Sequence, residues 1–127
     1  MNENEQAEIL ELTTRLLQAI TVADWATYTE LCATDLTAIE PEANGHLIEG
    51  MAFHKHYFDM AGQSPYANVT TTISSPHIRV MGNVAVIAYV RMTQRITDGI
   101  SVTSTTEETR IWEKTAGVWK HVHFHRS

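Results

Sequence analysis

The sequence predicts an α+β domain, with N-terminal helices packed on one face of a curved antiparallel sheet. Three observations predict it. Apolar residues recur at helical spacing near the start of the chain. From Val69 onward Thr, Val and Ile dominate, and β-branched residues favour strands. The tail, Gly117 to Arg126, alternates apolar and polar residues as one strand of the main sheet.

The first helix is expected from Glu5 to about Val22. Ile9, Leu12, Leu16 and Ile20 form its apolar stripe, Leu17 widens it, and Asn2 with Glu5 gives a start signal. Asp24 reads as the N-cap of a short second helix that turns Trp25, Tyr28 and Leu31 inward. Leu36–Glu40 reads as a strand ended by Pro41, and Asn44-Gly45 turns the chain into His46–Glu49. Gly50–Met60 returns to helix with Phe53 and Tyr57 on one stripe. Gly62 is the expected stop, and Gln63–Asn68 a loop. Val69–Met81 is a strand interrupted at Ser75-Pro76, because proline donates no ladder hydrogen bond. Gly82-Asn83 and Asp98-Gly99 are hairpin signals bounding the strand Val84–Thr97. Ile100–Lys114 follows, and Thr115-Ala116-Gly117 turns into the tail, giving a four-stranded meander.

Composition sets the class. The 127 residues suit one domain over 1–127, and 43% hydrophobic with 19% charged residues describes a globule. A formal charge of −6 argues against a nucleic-acid partner held through phosphates. The acidic N-terminus has no apolar signal core, and Val84–Val90 is too short an apolar run to span a bilayer, so no membrane partner is expected. A lone Cys32 fits a reducing, cytoplasmic setting. Val84–Val90 is apolar on both faces. A subunit contact is the expected cover for the second face, with an inner strand of a strongly curled sheet as the alternative.

Register brings the arginines together. If Asp98-Gly99 is a two-residue turn, Thr97 pairs with Ile100, which sets Arg110 opposite Ile87 and Arg91 opposite Thr106. Arg91, Thr106, Glu108 and Arg110 then share a face. A three-residue loop at Thr115–Gly117 would add Arg126 to that face, opposite Thr106, whereas a four-residue loop would flip it away. Tyr89, Trp112 and Phe124 surround the cluster. Unpaired guanidiniums there would be costly, and Glu108 offsets only one. Either an anion offsets the surplus, or the arginines reach the rim or pair with Glu40 or Glu42.

The other face of the tail is expected to carry His121, His123 and His125, with Glu107 opposite His125. A His-x-His-x-His strand can bind metal, but no separated fourth ligand is evident beside Trp119. The histidines read as structural, and no metal or cofactor is expected. His54 and His56 diverge on their helix, and no P-loop, GxGxxG or Ser-His-Asp order occurs.

Several motifs carry a resemblance: Glu40-Pro-Glu-Ala-Asn-Gly, Ile48-Glu-Gly-Met-Ala-Phe-His-Lys-His-Tyr-Phe, Ser75-Pro-His-Ile-Arg-Val-Met-Gly, Ile87-Ala-Tyr-Val-Arg, Glu107-Glu-Thr-Arg-Ile-Trp and Val122-His-Phe-His-Arg-Ser. Together they resemble the association (hub) domain of calcium/calmodulin-dependent protein kinase II, along nearly the whole chain. The resemblance implies a cone-shaped fold like nuclear transport factor 2 (cystatin-like). It also implies self-assembly of dimers into two-tiered rings that display kinase domains, with no catalysis by the hub itself. It implies a pocket whose arginines match Arg91, Arg110 and Arg126, with a histidine matching His54, able to hold an acidic small molecule. Lys55 stands where the family usually has arginine, and the Ala61–Asn68 stretch lacks the family's tryptophan. No kinase domain or calmodulin-binding segment precedes the hub in this chain, which reads as an isolated domain or a free-standing relative.

A carboxylate site is therefore expected at Arg91, Arg110 and Arg126, with His54 near its mouth and Glu108 balancing one charge. Tyr57, Tyr89, Trp112 and Phe124 are the expected lining. A rival reading keeps the fold but makes it a small isomerase, dehydratase or hydrolase, using His54, Tyr57, Glu108 or Tyr89 for acid–base work. A carboxylate open to the cavity with no arginine beside it would favour that rival.

Overall fold

The structure is a computed structural model, and it describes residues 2–61 and 69–127. The expected stop at Gly62 and the Gln63–Asn68 loop lie outside the described residues. Helix α1 (Asn2–Thr21) and helix α2 (Trp25–Leu31) lead into strand β1 (Cys32–Ile39), a single 3-10 turn at Pro41–Ala43 and a short strand β2 (Ile48–Glu49). Helix α3 (Ala52–Ala61) precedes four long strands: β3 (Val69–Met81), β4 (Val84–Thr97), β5 (Ile100–Thr115) and β6 (Val118–Arg126). Asp24 caps α2 through Thr27, its carboxylate accepting from the Thr27 backbone N–H at 3.1 Å and from the hydroxyl at 2.6 Å.

The α+β class stands, and the sheet is larger than a four-stranded meander. Six strands run in the order β2-β1-β6-β5-β4-β3, with β1 parallel to β6. The tail has two edges to satisfy. One bonds to β5, and β1, which begins at Cys32 rather than Leu36, takes the other. The sheet buries Ala85, Ile87, Trp112 and Phe124 on one face. Ile9, Thr13, Leu16 and Leu17 of α1 are buried with them, and Trp112 Nε1 donates to Thr13 Oγ1 at 3.2 Å.

Two bulges set which side chains face inward. On β3, Ser75 and Pro76 together oppose Tyr89, so that Ile73 and Ile78 both face the core although they are five positions apart. Ser75 carries the kink at φ 53°. On β6 the turn is the two residues Ala116-Gly117, both at positive φ, and Thr115 pairs with Val118. That turn differs from the expected three-residue loop and would by itself send Arg126 to the outer face. Val122 prevents it. His121 pairs with Trp112 and His123 with Ile111, leaving Val122 as the extra residue, and every later side chain changes face.

Candidate functional site

The Val122 bulge builds the site from the tail. Before it, Trp119 and His121 point into the core; after it, Phe124 and Arg126 do. The two-residue turn at Ala116-Gly117 and the bulge together correct two sequence expectations. His121 is fully buried on the arginine face instead of sharing the outer face with His123 and His125. Arg126 stands opposite Glu108, not Thr106, and His125 opposite Thr109, not Glu107. A bulge has no dependable signature in plain alternation, so the sequence alone continued one face assignment through it.

The two-residue turn at Asp98-Gly99 gives β4 and β5 the expected register, with Arg110 opposite Ile87 and Arg91 opposite Thr106. Arg110, at 1% exposure, is the centre of the network. Its Nη2 donates to Glu108 Oε1 at 3.1 Å and its Nε to the Tyr89 hydroxyl at 2.8 Å. Nη1 lies 3.3 Å from His121 Nε2, and the guanidinium sits 4.4 Å from the Phe124 ring centroid. Tyr89 also donates to Glu108 Oε1 at 2.5 Å, and Thr106 donates to Oε2 at 3.0 Å. Burial disfavours ionisation of Glu108, but Arg110 and Arg91 outweigh it and hold the carboxyl below its usual range. Burial, then Arg110, pushes His121 well down, so the ring is neutral and can accept from Arg110.

The other two arginines are placed differently. Arg91 Nη1 is 3.7 Å from Glu108 Oε2, and burial lowers its pKa. Arg126 Nη2 donates to both oxygens of Glu42 and lies 3.5 Å from Glu40 Oε1. The chain reversal at Pro41–Ala43 delivers those two glutamates, with Asn44 closing it in the left-handed region at φ 53°. Burial raises the Glu40 pKa against the pull of Arg126. His54 Nδ1 is 3.9 Å from Glu40 Oε2, and burial followed by Arg110 lowers His54 to about 4. Three carboxylates therefore meet three guanidiniums. The surplus of two positive charges expected from Glu108 alone is offset by Glu40 and Glu42, the pairing that the sequence offered as the alternative.

A cavity of about 250 Å³ opens onto this cluster. His54, Arg91, Arg110, Arg126, Tyr57 and Phe124 line it, together with Glu40 and Glu42. Two expected lining residues do not reach it. Trp112 is fully buried under α1, and Tyr89 stands behind the wall on Glu108 and Arg110. Glu108 likewise acts from behind, through Arg91 and Arg110. A second lobe of about 360 Å³ shares Arg91, Arg126, Tyr57, Phe58 and Ile20 with the first and extends along β4 to Arg95. Arg95 was not among the residues singled out from the sequence; strand alternation puts it on the same face as Arg91, but how far the cavity extends is not shown by strand patterning.

Three buried polar side-chain atoms lack a protein partner among the described residues: Glu40 Oε2, His54 Nε2 and Arg91 Nε. All three belong to residues lining the smaller lobe. The carboxylates that line it, Glu40 and Glu42, each have Arg126 beside them, so neither is the arginine-free carboxylate that would favour the enzyme reading. Among the described residues no group of three or more metal-ligating side chains forms, and no helix is long and apolar enough to cross a membrane.

Comparison with known proteins agrees with this architecture. A family described as the calcium/calmodulin dependent protein kinase II association domain matches residues 5–127. The delta subunit of calcium/calmodulin-dependent protein kinase type II from Oryctolagus cuniculus is 44% identical over 122 residues, which are 94% of this chain and 23% of that protein. The chain thus spans about a quarter of the curated relatives it matches. The association domain of the Caenorhabditis elegans kinase superposes with a TM-score of 0.92 at 41% identity, covering 98% of this chain and 96% of the other. At 17% identity, where only the fold is at issue, a protein from Novosphingobium aromaticivorans described as like nuclear transport factor 2, with a cystatin-like fold, gives a TM-score of 0.81 over 98% of this chain and 82% of its own. The expected fold follows, and the chain belongs to the association-domain family of calcium/calmodulin-dependent protein kinase II.

Proposed function

We propose that this chain is a self-assembling hub whose copies pair as dimers and whose dimers close into a ring. The observation that carries this reading is strand β4. Ala85, Ile87 and Tyr89 are buried on the inner face, while Val84, Val86, Ala88 and Val90 remain only half-buried on the outer one. Ile111 stands opposite Val86 on that outer face. A second copy would remove this stripe from water, and apolar burial of that kind is worth about 25 cal/mol per Å². Static light scattering at micromolar concentration tests the proposal. A mass many times the 14.3 kDa of one chain is expected, and a clean monomer would overturn it.

The cavity is the second part of the proposal. Arg91 and Arg126, backed by Arg110 and Glu108 and with buried His54 in the lining, would hold a small carboxylate. Arg91 Nε–H, buried without a protein acceptor among the described residues, supports it, because guanidinium donors match carboxylate oxygens in geometry and charge. The relatives are named as kinase subunits, and we propose that any kinase partner is gathered by this assembly without chemistry in the cavity. A cytoplasmic location fits that role.

A further inference from the structure

We propose that the larger lobe is a second anion subsite and that the cavity prefers a short dicarboxylate to a monocarboxylate. The inference rests on the carboxylate reading of the cavity. The smaller lobe is charge-balanced, since Arg91 and Arg110 share Glu108, and Arg126 shares Glu40 and Glu42. The larger lobe is not. Arg91, Arg95 and Arg126 line it, and among the described residues no aspartate or glutamate does. Arg95 makes no ion pair with the described residues, although the chain as a whole carries a formal charge of −6.

The strands supply the rest of the subsite. Arg91, Thr93 and Arg95 alternate along β4 and so share the inner face. Thr93 has Thr71 beside it on β3 and Ser104 on β5, which makes a row of hydroxyls across three strands between the two arginines. Thr71 is occupied with Thr21 at 2.9 Å, whereas the Thr93 and Ser104 hydroxyls have no protein partner among the described residues. The Cα atoms of Arg91 and Arg95 are separated by about 13 Å at the rise of a strand, and both side chains line the same lobe. A linear diacid of about five carbons fits between the two guanidiniums, one carboxylate on Arg91 and Arg126 and the other on Arg95, with the hydroxyls donating to the second. Tyr57, Phe58 and Ile20 offer apolar cover to its methylenes.

Calorimetric titration of glutarate and pentanoate into the wild-type protein and into Arg95→Gln tests this. Arg95 is exposed, so the variant is expected to fold. In wild type, glutarate should bind about tenfold tighter than pentanoate, as one added charge-assisted contact implies. Arg95→Gln should abolish that margin and leave pentanoate unchanged. If pentanoate binds and glutarate binds no tighter, or if the margin survives Arg95→Gln, the second subsite is refuted while the carboxylate reading stands. If neither acid binds wild type up to tens of millimolar, both are refuted.

Discussion

Arg126 and Glu42, 84 positions apart, share a two-oxygen ion pair at the mouth of the cavity. An internal carboxylate thus occupies the guanidinium that a ligand carboxylate would use. Burial raises the pKa of Glu42, but the hydrogen bonds from Arg126 outweigh it and keep the group ionised to lower pH. Glu42→Gln should therefore strengthen binding of a short-chain carboxylate. The pair is partly exposed, so the gain is limited to about 1 kcal/mol, or about fivefold. Titration calorimetry on both proteins reads it, and weaker binding in the variant would show that Glu42 positions Arg126 instead of competing for it.

Glu108 is the opposite case. It is 3% exposed and shared by Arg110, Arg91, Tyr89 and Thr106. Glu108→Gln leaves a buried guanidinium uncompensated, and breaking such a pair costs about 3–5 kcal/mol. Urea unfolding should show that loss. A cost below about 1 kcal/mol would mean that water compensates Arg110.

His54 makes stability pH-dependent. Its pKa falls from 6.5 to about 4 on folding, so the unfolded chain takes the proton first. Its contribution is complete above pH 6.5 and is lost as pH falls towards 4, at up to about 1.4 kcal/mol per pH unit. His121 works in the same direction. Glu40 is raised on folding and works in the opposite one, its contribution being lost as pH rises through its folded pKa. Urea midpoints between pH 7 and pH 5 should fall in wild type and fall less in His54→Gln. Equal slopes would exclude His54 as a source.

Trp112 is buried in the core against helix α1, away from the cavity lining. Trp112→Phe removes the hydrogen bond to Thr13 and leaves a small void, which should cost about 2 kcal/mol. Carboxylate affinity should not change, because the indole does not line the cavity. Altered affinity at equal folding would place Trp112 in the binding wall.

The sequence by itself determined the helices, the four long strands and the register of β4 on β5. Helical spacing, β-branched composition and the Asp98-Gly99 turn are local signals, and strand pairing follows from a tight turn by counting. That count was enough to set Arg91, Glu108 and Arg110 on one face. Tertiary structure decided the rest. The expected loop at Thr115–Gly117 was one residue too long, and the Val122 bulge reversed the face of everything after it, so that Arg126 reached the predicted face by a different route. The shorter turn at Ala116-Gly117 had already faced His121 inward, opposite Trp112 and beside Arg110. Charge balance was also beyond the sequence. Glu40 and Glu42 lie more than eighty residues from Arg126, and only the parallel pairing of β1 with β6, a contact that no turn signals, brings them together. Alternation reports which side chains share a face while the ladder is regular; non-local pairing and bulges decide which face, and which partners, they meet.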